Sequence, residues 1–246
     1  MPTADLRLAV LSDVHGNAFA LQAVLDAIRA EAPDLTVNLG DTVWGAADPA
    51  RAWALQTEFA PPTVRGNTDE RVAGLREGKA EMRQWLLELL SPGVPEHLAA
   101  LPTYADVAGG EVRLAHGSPR IPWEDLMLTE TPRDNPRSAR FSQLRERLSD
   151  FTHASGGRLC IVGHTHHEML TVVDGVTVVN AGPVSRLKDG LPLARWVLLT
   201  RRGGHWNAEF RRTAYDHAAA AAWARAHGPQ HEAGREAQWL ETGREP

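Results

Sequence analysis

Short β-branched and leucine-rich runs at residues 7–11, 35–39, 63–65, 112–115 and 159–162 alternate with stretches of helical periodicity. Runs of that length are too short for helices, and their alternation with amphipathic segments reads as β-α-β units. The spacing therefore predicts an α/β fold whose first half is parallel-rich. Leu21, Val24, Leu25 and Ile28 follow the 3.6-residue period over 18–30, with Asn17 at the N-cap and Pro33 past the end. Asp48 followed by Pro49 opens a second helix, which Pro61-Pro62 closes. A third covers about 80–90, where Met82, Trp85, Leu86 and Leu89 form one stripe.

The polar, proline-punctuated stretch 120–150 reads as a surface insertion with one short helix marked by Phe141, Leu144, Leu148 and Phe151. Its arginines, Arg133, Arg137, Arg140, Arg145 and Arg147, read as a solvated face partnered by Glu146 and Asp150. Past Gly163 the pattern changes to alternating strands at about 169–173, 176–180, 194–200 and 205–211, with Asp174-Gly175 as a type I′ hairpin turn. The second half is thus expected to be antiparallel. A C-terminal helix is expected over about 214–227, and the polar residues from 228 onward are expected to fray. The whole of 1–246 reads as a single domain, long enough to bury one substantial core.

Charge and length narrow the function classes. With 26 basic against 31 acidic residues, the net charge of −5 lacks the basic excess of a protein that wraps nucleic acid. No apolar run approaches the roughly 20 residues of a membrane span. A lone cysteine, Cys160, and the lack of a secretory pattern at the start point to a cytoplasmic address.

The chemistry lies just past the five runs. They are followed in turn by Asp13, His15 and Asn17; by Gly40-Asp41; by Gly66-Asn67-Thr68-Asp69; by His116-Gly117; and by Gly163-His164-Thr165-His166. In open α/β sheets the ligand crevice lies outside the carboxyl ends of the strands, so these groups should converge. The glycines are expected to turn the backbone there through positive φ. Asp13, His15, Asp41, Asn67, His116, His164 and His166 are seven N and O donors with no thiolate among them. Two carboxylates confined together call for a cation between them, and neutral imidazoles are natural ligands for it. Seven donors exceed one tetrahedral zinc and suit two cations sharing a bridging carboxylate. A lone Asp or His is more often structural, so Asp69 is read as the N-cap of a helix beginning at Glu70. His97, His153, His205, His217, His227 and His231 are read as surface or core residues.

The ladder Asp-x-His, Gly-Asp, Gly-Asn-x-Asp, His-Gly and Gly-His-Thr-His over residues 13–166 resembles the calcineurin-like metallophosphoesterase superfamily. Asp13-Val14-His15-Gly16-Asn17 and His116-Gly117-Ser118-Pro119-Arg120 are similar to its small bacterial branch. The resemblance implies a four-layer α/β/β/α sandwich with a dinuclear site at one sheet edge. By position, Asp13, His15 and His166 would hold one metal, Asn67, His116 and His164 the other, and Asp41 would bridge them. Manganese is the expected metal, with iron and zinc as alternatives.

The activity implied is hydrolysis of phosphodiesters, and secondarily phosphomonoesters, by in-line attack of a metal-bridging hydroxide, with Asp41, Asn67 and Thr68 as the catalytic set. Many members carry His where this chain has Thr68; a hydroxyl is no proton donor near pH 7, so the usual general acid is missing. Asn17, and Arg186 in the loop 180–186, are expected to touch the substrate, a phosphate ester with nucleotides among the candidates. Competing readings are a dinucleoside-polyphosphate hydrolase, a protein phosphatase, and a non-catalytic binding module such as the retromer subunit of this fold. The complete ligand set argues against the last.

Overall fold

Strand β1 (Leu6–Leu11) turns Leu8 and Val10 to one side and Ala9 and Leu11 to the other, and all four are fully buried. A strand apolar on both faces needs cover on both. In the computed structural model, which describes residues 5–129, 137–149, 151 and 158–246, a helix supplies one cover and a second sheet the other. Helix α1 (Ala18–Glu31) lays Leu21, Val24, Leu25 and Ile28 on Ala9 and Leu11. Its cap is Asn17, whose side chain accepts from the Ala20 N–H at 3.0 Å.

The first sheet runs β2 (Leu35–Asn38), β1, β8 (Leu193–Arg202), β9 (His205–Ala214), with β1–β2 parallel and the other pairs antiparallel. The second runs β3 (Tyr104–Val107), β4 (Val112–Ala115), β5 (Leu159–Val162), β7 (Val176–Ala181), β6 (Glu168–Val173). Here β4–β5 and β5–β7 are parallel, while β3–β4 and the β6–β7 hairpin are antiparallel. β1–β2 and β4–β5 are thus parallel and β6–β7 and β8–β9 antiparallel, as expected of the two halves, while β3–β4 is antiparallel, β5–β7 is parallel, and β8 returns antiparallel beside β1. The hairpin turn is as expected: Asp174 and Gly175 have φ of 49° and 80°, and Val173 pairs with Val176.

Leu8, Val10, Val37 and Leu39 of the first sheet meet Leu114, Leu159, Ile161 and Val179 of the second in a dry inter-sheet core. The outer face of the second sheet is covered by the stretch expected as a surface insertion. Leu126, Met127, Leu144 of α6 (Phe141–Arg147), Leu148 and Phe151 bury themselves on Cys160, Val162 and Val178. It is the fourth layer of the sandwich. Arg133 and His153 lie outside the described residues.

Other expectations need correction. Residues 63–65 form no strand, only a single bridge from Asn38 to Thr63, because Pro61 and Pro62 offer no N–H to a ladder. α2 (Pro49–Phe59) and α4 (Ala80–Leu89) are where expected. α3 (Asn67–Val72) begins at Asn67, which puts Asp69 in its first turn and not at its cap. α5 (Val94–Ala100) and β3 were not anticipated. Residue 214 ends β9, the expected C-terminal helix is α7 (His217–His227), and a further helix, α8 (Ala233–Thr242), stands where fraying was expected. Its Ala237 and Leu240 pack on α7 and on Ala46 and Ala47. Among the described residues no helix is long and apolar enough to cross a membrane.

Leu114 lies in the inter-sheet core with no exposure, whereas Leu170 on the edge strand β6 is 51% exposed. Leu114→Ala is expected to lower the free energy of urea unfolding by about 2–5 kcal/mol, and Leu170→Ala by less than about 0.5 kcal/mol.

Candidate metal centre

Each ligand candidate follows directly from a strand or opens a helix. Asp13 and His15 follow β1, Asp41 follows β2, Asn67 and Thr68 open α3, His116 follows β4, and His164 and His166 follow β5. The backbone bends sharply at these points, though not mainly through glycine. Asp13, His15, Asp41, His164 and His166 themselves adopt left-handed φ of 54°, 48°, 58°, 68° and 61°. Such backbone costs about 1–3 kcal/mol per residue and persists where the surrounding structure enforces it. The glycines at 66 and 163 are instead required by crowding. A Cβ on Gly66 would lie 2.1 Å from Asp41 Oδ1, and one on Gly163 would lie 1.9 Å from Ser12 Oγ.

Three imidazoles have their Nδ1 engaged by backbone carbonyls. His15 donates to Trp44 O at 3.0 Å, His116 to Leu39 O at 2.8 Å and His166 to Arg186 O at 2.8 Å. With Nδ1 donating to these carbonyls, each Nε2 is turned inward. His15 Nε2 and His166 Nε2 face each other at 3.0 Å, and Asp13 Oδ1 lies 3.8 Å and 3.4 Å from them. His116 Nε2 is 3.4 Å from Asp41 Oδ2 and 2.9 Å from Asn67 Oδ1, which is also 2.8 Å from His164 Nδ1. Asp13 Oδ1 is buried and has no hydrogen-bond partner. A proton shared between two facing nitrogens still leaves that oxygen unsatisfied, whereas a cation among these atoms satisfies all of them. Among the described residues two such groups stand out, Asp13–His15–His166 and Asp13–Asp41–His116. Asp41 Oδ2 also reaches within 3.8 Å of His15 Nε2, so both carboxylates touch both halves.

Burial pushes the Asp13 and Asp41 carboxyls up, but the surrounding imidazoles, His116 foremost, outweigh it and hold both below the usual carboxylate range. Burial pulls His116 down, but the Asp41 and Asp13 carboxylates overcome it and push the ring up to about 10. His164 is drawn down to about 4 by burial and by His116, and His15 goes well below its ordinary value through burial and the Arg186 guanidinium. Without a cation, His116 therefore carries the one proton that balances the carboxylates, and an incoming metal takes its place.

Some residues of the site were not anticipated as such. Asp69 sends its carboxylate under the loop, accepting from Gly66, Asp41 and Thr42 N–H at 2.8, 2.9 and 3.2 Å, and burial together with the Asp41 charge pushes it up to about 6. It fixes the backbone that carries Asp41, whose Oδ1 accepts the Thr68 N–H at 2.8 Å. Asp125 Oδ1 lies 3.3 Å from His164 Nε2. His167, Trp123, Lys188 and Trp239 join His15, Asp41, Asn67, His164 and His166 around a cleft of about 380 Å³, with Asp13 and His116 buried beneath. Asp69 was visible in the motif as the last residue of Gly-Asn-x-Asp, but Asp125 stands in an irregular loop that carries no sequence signal. Asn17 does not reach the cleft. It is fully buried, capping α1 and donating to Ser185 Oγ at 3.0 Å, so it is a structural residue and not a substrate contact. Arg186 does line the cleft, but its guanidinium is gripped by Glu236 at 2.7 and 3.1 Å.

Residues 6–203 match the calcineurin-like phosphoesterase superfamily domain. A metallophosphoesterase from Sphaerobacter thermophilus is 25% identical, with 97% of this chain and 100% of that one covered and a TM-score of 0.74. A hypothetical protein from Pyrococcus horikoshii OT3 shares the fold at 18% identity and TM-score 0.74, over 96% of this chain and 98% of its own. An uncharacterized protein of Methanocaldococcus jannaschii is 24% identical over 234 residues, 85% of this chain and 88% of its own.

Because His116 at about 10 is protonated at pH 7 in cation-free protein, metal uptake should release that proton. The apparent affinity for manganese is expected to rise about tenfold per pH unit between pH 6.5 and 8.5, read by titration at three pH values. A flat profile would contradict this proton assignment.

Proposed function

This chain belongs to the calcineurin-like phosphoesterase superfamily, and we propose that it is a two-metal phosphoesterase that prefers phosphodiesters. The observation that carries the reading is the buried cluster in which His15 Nε2 and His166 Nε2 face each other at 3.0 Å around an unpartnered Asp13 oxygen. Asp13, His15 and His166 would hold one cation, Asn67, His116 and His164 the other, with Asp41 between them. Manganese is the proposed occupant, and the N/O donor set also suits iron and zinc. Two cations held there would supply a clamp on the phosphoryl oxygens and a water ionised near neutral pH, placed for in-line attack.

The chain's own residues set the preference. Among the described residues, Lys188 and Arg186 are the cations lining the cleft, with Asp125 and Glu245 as the opposing carboxylates. Arg186 is already neutralised by Glu236, and Lys188 Nζ lies 3.7 Å from Glu245 Oε2. With both of these cations already facing carboxylates, the described walls of the cleft suit a singly charged diester better than a doubly charged monoester. Thr68 lines the cleft with its Oγ1 buried and unpartnered, poised to donate to a phosphoryl oxygen; it is not an acid that can protonate a leaving group.

Manganese-loaded protein is expected to contain about two metals per chain by elemental analysis and to hydrolyse bis(p-nitrophenyl) phosphate faster than p-nitrophenyl phosphate. Asp41→Asn should weaken both cations together. A single tight metal indifferent to Asp41→Asn would overturn the two-metal reading.

A second expectation concerns Thr68. The rate should depend steeply on leaving-group pKa, with aryl diesters turned over far faster than alkyl ones, and Thr68→His should flatten that dependence. Thr68→Ala removes one hydrogen bond and should cost no more than about tenfold in kcat. A loss of 10³-fold or more, about 4 kcal/mol, with metals retained would give the hydroxyl a larger role than this.

A further inference from the structure

The last helix, α8, lies beyond the residues 6–203 that match the family, yet it reaches the metal cleft. Ala237 and Leu240 anchor it on Ala46, Ala47 and α7. Its Glu236 and Trp239 then meet the loop that follows β7. Glu236 is only 5% exposed, and its carboxylate accepts from Arg186 Nε at 3.1 Å and Nη2 at 2.7 Å. Trp239 donates its indole N–H to Leu187 O, and the Arg186 guanidinium carbon lies 5.6 Å from the centre of its ring. These contacts hold the loop where Arg186, a non-glycine residue, sits at φ 59°.

Two features of Arg186 reach one half of the centre. Its carbonyl accepts from His166 Nδ1 at 2.8 Å, which aims His166 Nε2 inward. Its Nη1 lies 3.4 Å from His15 Nδ1, which already donates to Trp44 O, so the guanidinium acts on that ring by its charge and, added to burial, holds it neutral. The other half is fixed differently: His116 by Leu39 O, Asn67 by contacts with His116 and His164, and His164 by Asp125. A buried ion pair such as Glu236–Arg186 is by itself weak support for stability, because desolvation opposes the attraction. It does fix direction, since a carboxylate taking two guanidinium N–H groups allows one orientation of the fork.

We propose that Glu236 is a positioning residue that locks His166 through Arg186, so that α8 tunes selectively the cation position that His166 shares with His15. The inference rests on the two-cation reading above. Metal-binding histidines depend on the groups that orient their second nitrogen, and loss of such a partner typically lowers metal affinity 10–100-fold. Here the orienting group of His166 is a backbone carbonyl, which cannot be removed by substitution. Its placement is set from a helix some 50 residues further along the chain, which is where a side chain can be changed.

The test is a manganese titration followed by the free-ion electron paramagnetic resonance signal, on the full chain and on Glu236→Gln, which keeps the shape and removes the charge. Wild type is expected to take up two cations. The variant should bind the first as wild type does and the second about 10–100-fold more weakly, with an unchanged circular dichroism spectrum when metal-free. Arg186→Gln/Glu236→Gln, which leaves no unpaired buried guanidinium, should show the same selective loss and serves if the single variant does not fold. Unchanged binding of both cations, or equal weakening of both, in folded variants overturns the positioning role. A wild-type chain that takes up only one cation overturns the two-cation reading itself, and this inference with it.

Discussion

Two buried carboxylates crowded by the inward Nε2 atoms of His15, His116 and His166, with pair distances from 3.0 to 3.8 Å, are the constraint on which the rest of this structure depends. In a low-dielectric pocket such a cluster is unstable alone, since no arrangement of protons satisfies it fully. The surrounding architecture holds these groups together against that cost. The sandwich supplies rigidity by burying β1 on both faces, and the ends of β1, β2, β4 and β5 deliver their next residues to one spot.

Precision at that spot comes from the backbone more than from the side chains. Three histidines are oriented by main-chain carbonyls of other segments, Trp44, Leu39 and Arg186, so ring direction is inherited from loop conformation. The loops are in turn pinned by Asp69, which gathers three N–H groups under Asp41, and by close approaches that exclude any Cβ at Gly66 and Gly163. Five ligand candidates in left-handed conformation are the local strain, which the packed sheets around them sustain.

The envelope of the cleft is made by parts with no regular pattern. The loop through Trp123 and Asp125 forms one wall, while the following Leu126 and Met127 cover the second sheet, so the same segment serves both layer and site. α8 forms the other wall through Trp239. In these walls the charge of Arg186 is compensated by Glu236, and Lys188 is close to Glu245.

The sequence by itself determined the periodic and the local: the first helix with its Asn17 cap, the Asp174-Gly175 hairpin, and the positions of Asp13, His15, Asp41, His116, His164 and His166 just past strands. These follow from side-chain period and turn chemistry, which act over a few residues. Only the tertiary structure decided what depends on contacts across the chain. Whether 63–65 becomes a strand depended on the prolines beside β2, and whether Asp69 caps or braces depended on Asp41, 28 residues away. Asn17 was drawn inside by Ser185, 168 residues on. α8 lacks a plain apolar stripe in the sequence because its buried residues, Ala233, Glu236, Ala237, Trp239 and Leu240, include a carboxylate and two small alanines within a polar segment. Its role exists only because folding brings Glu236 to Arg186, and no local pattern can encode a partner 50 residues distant.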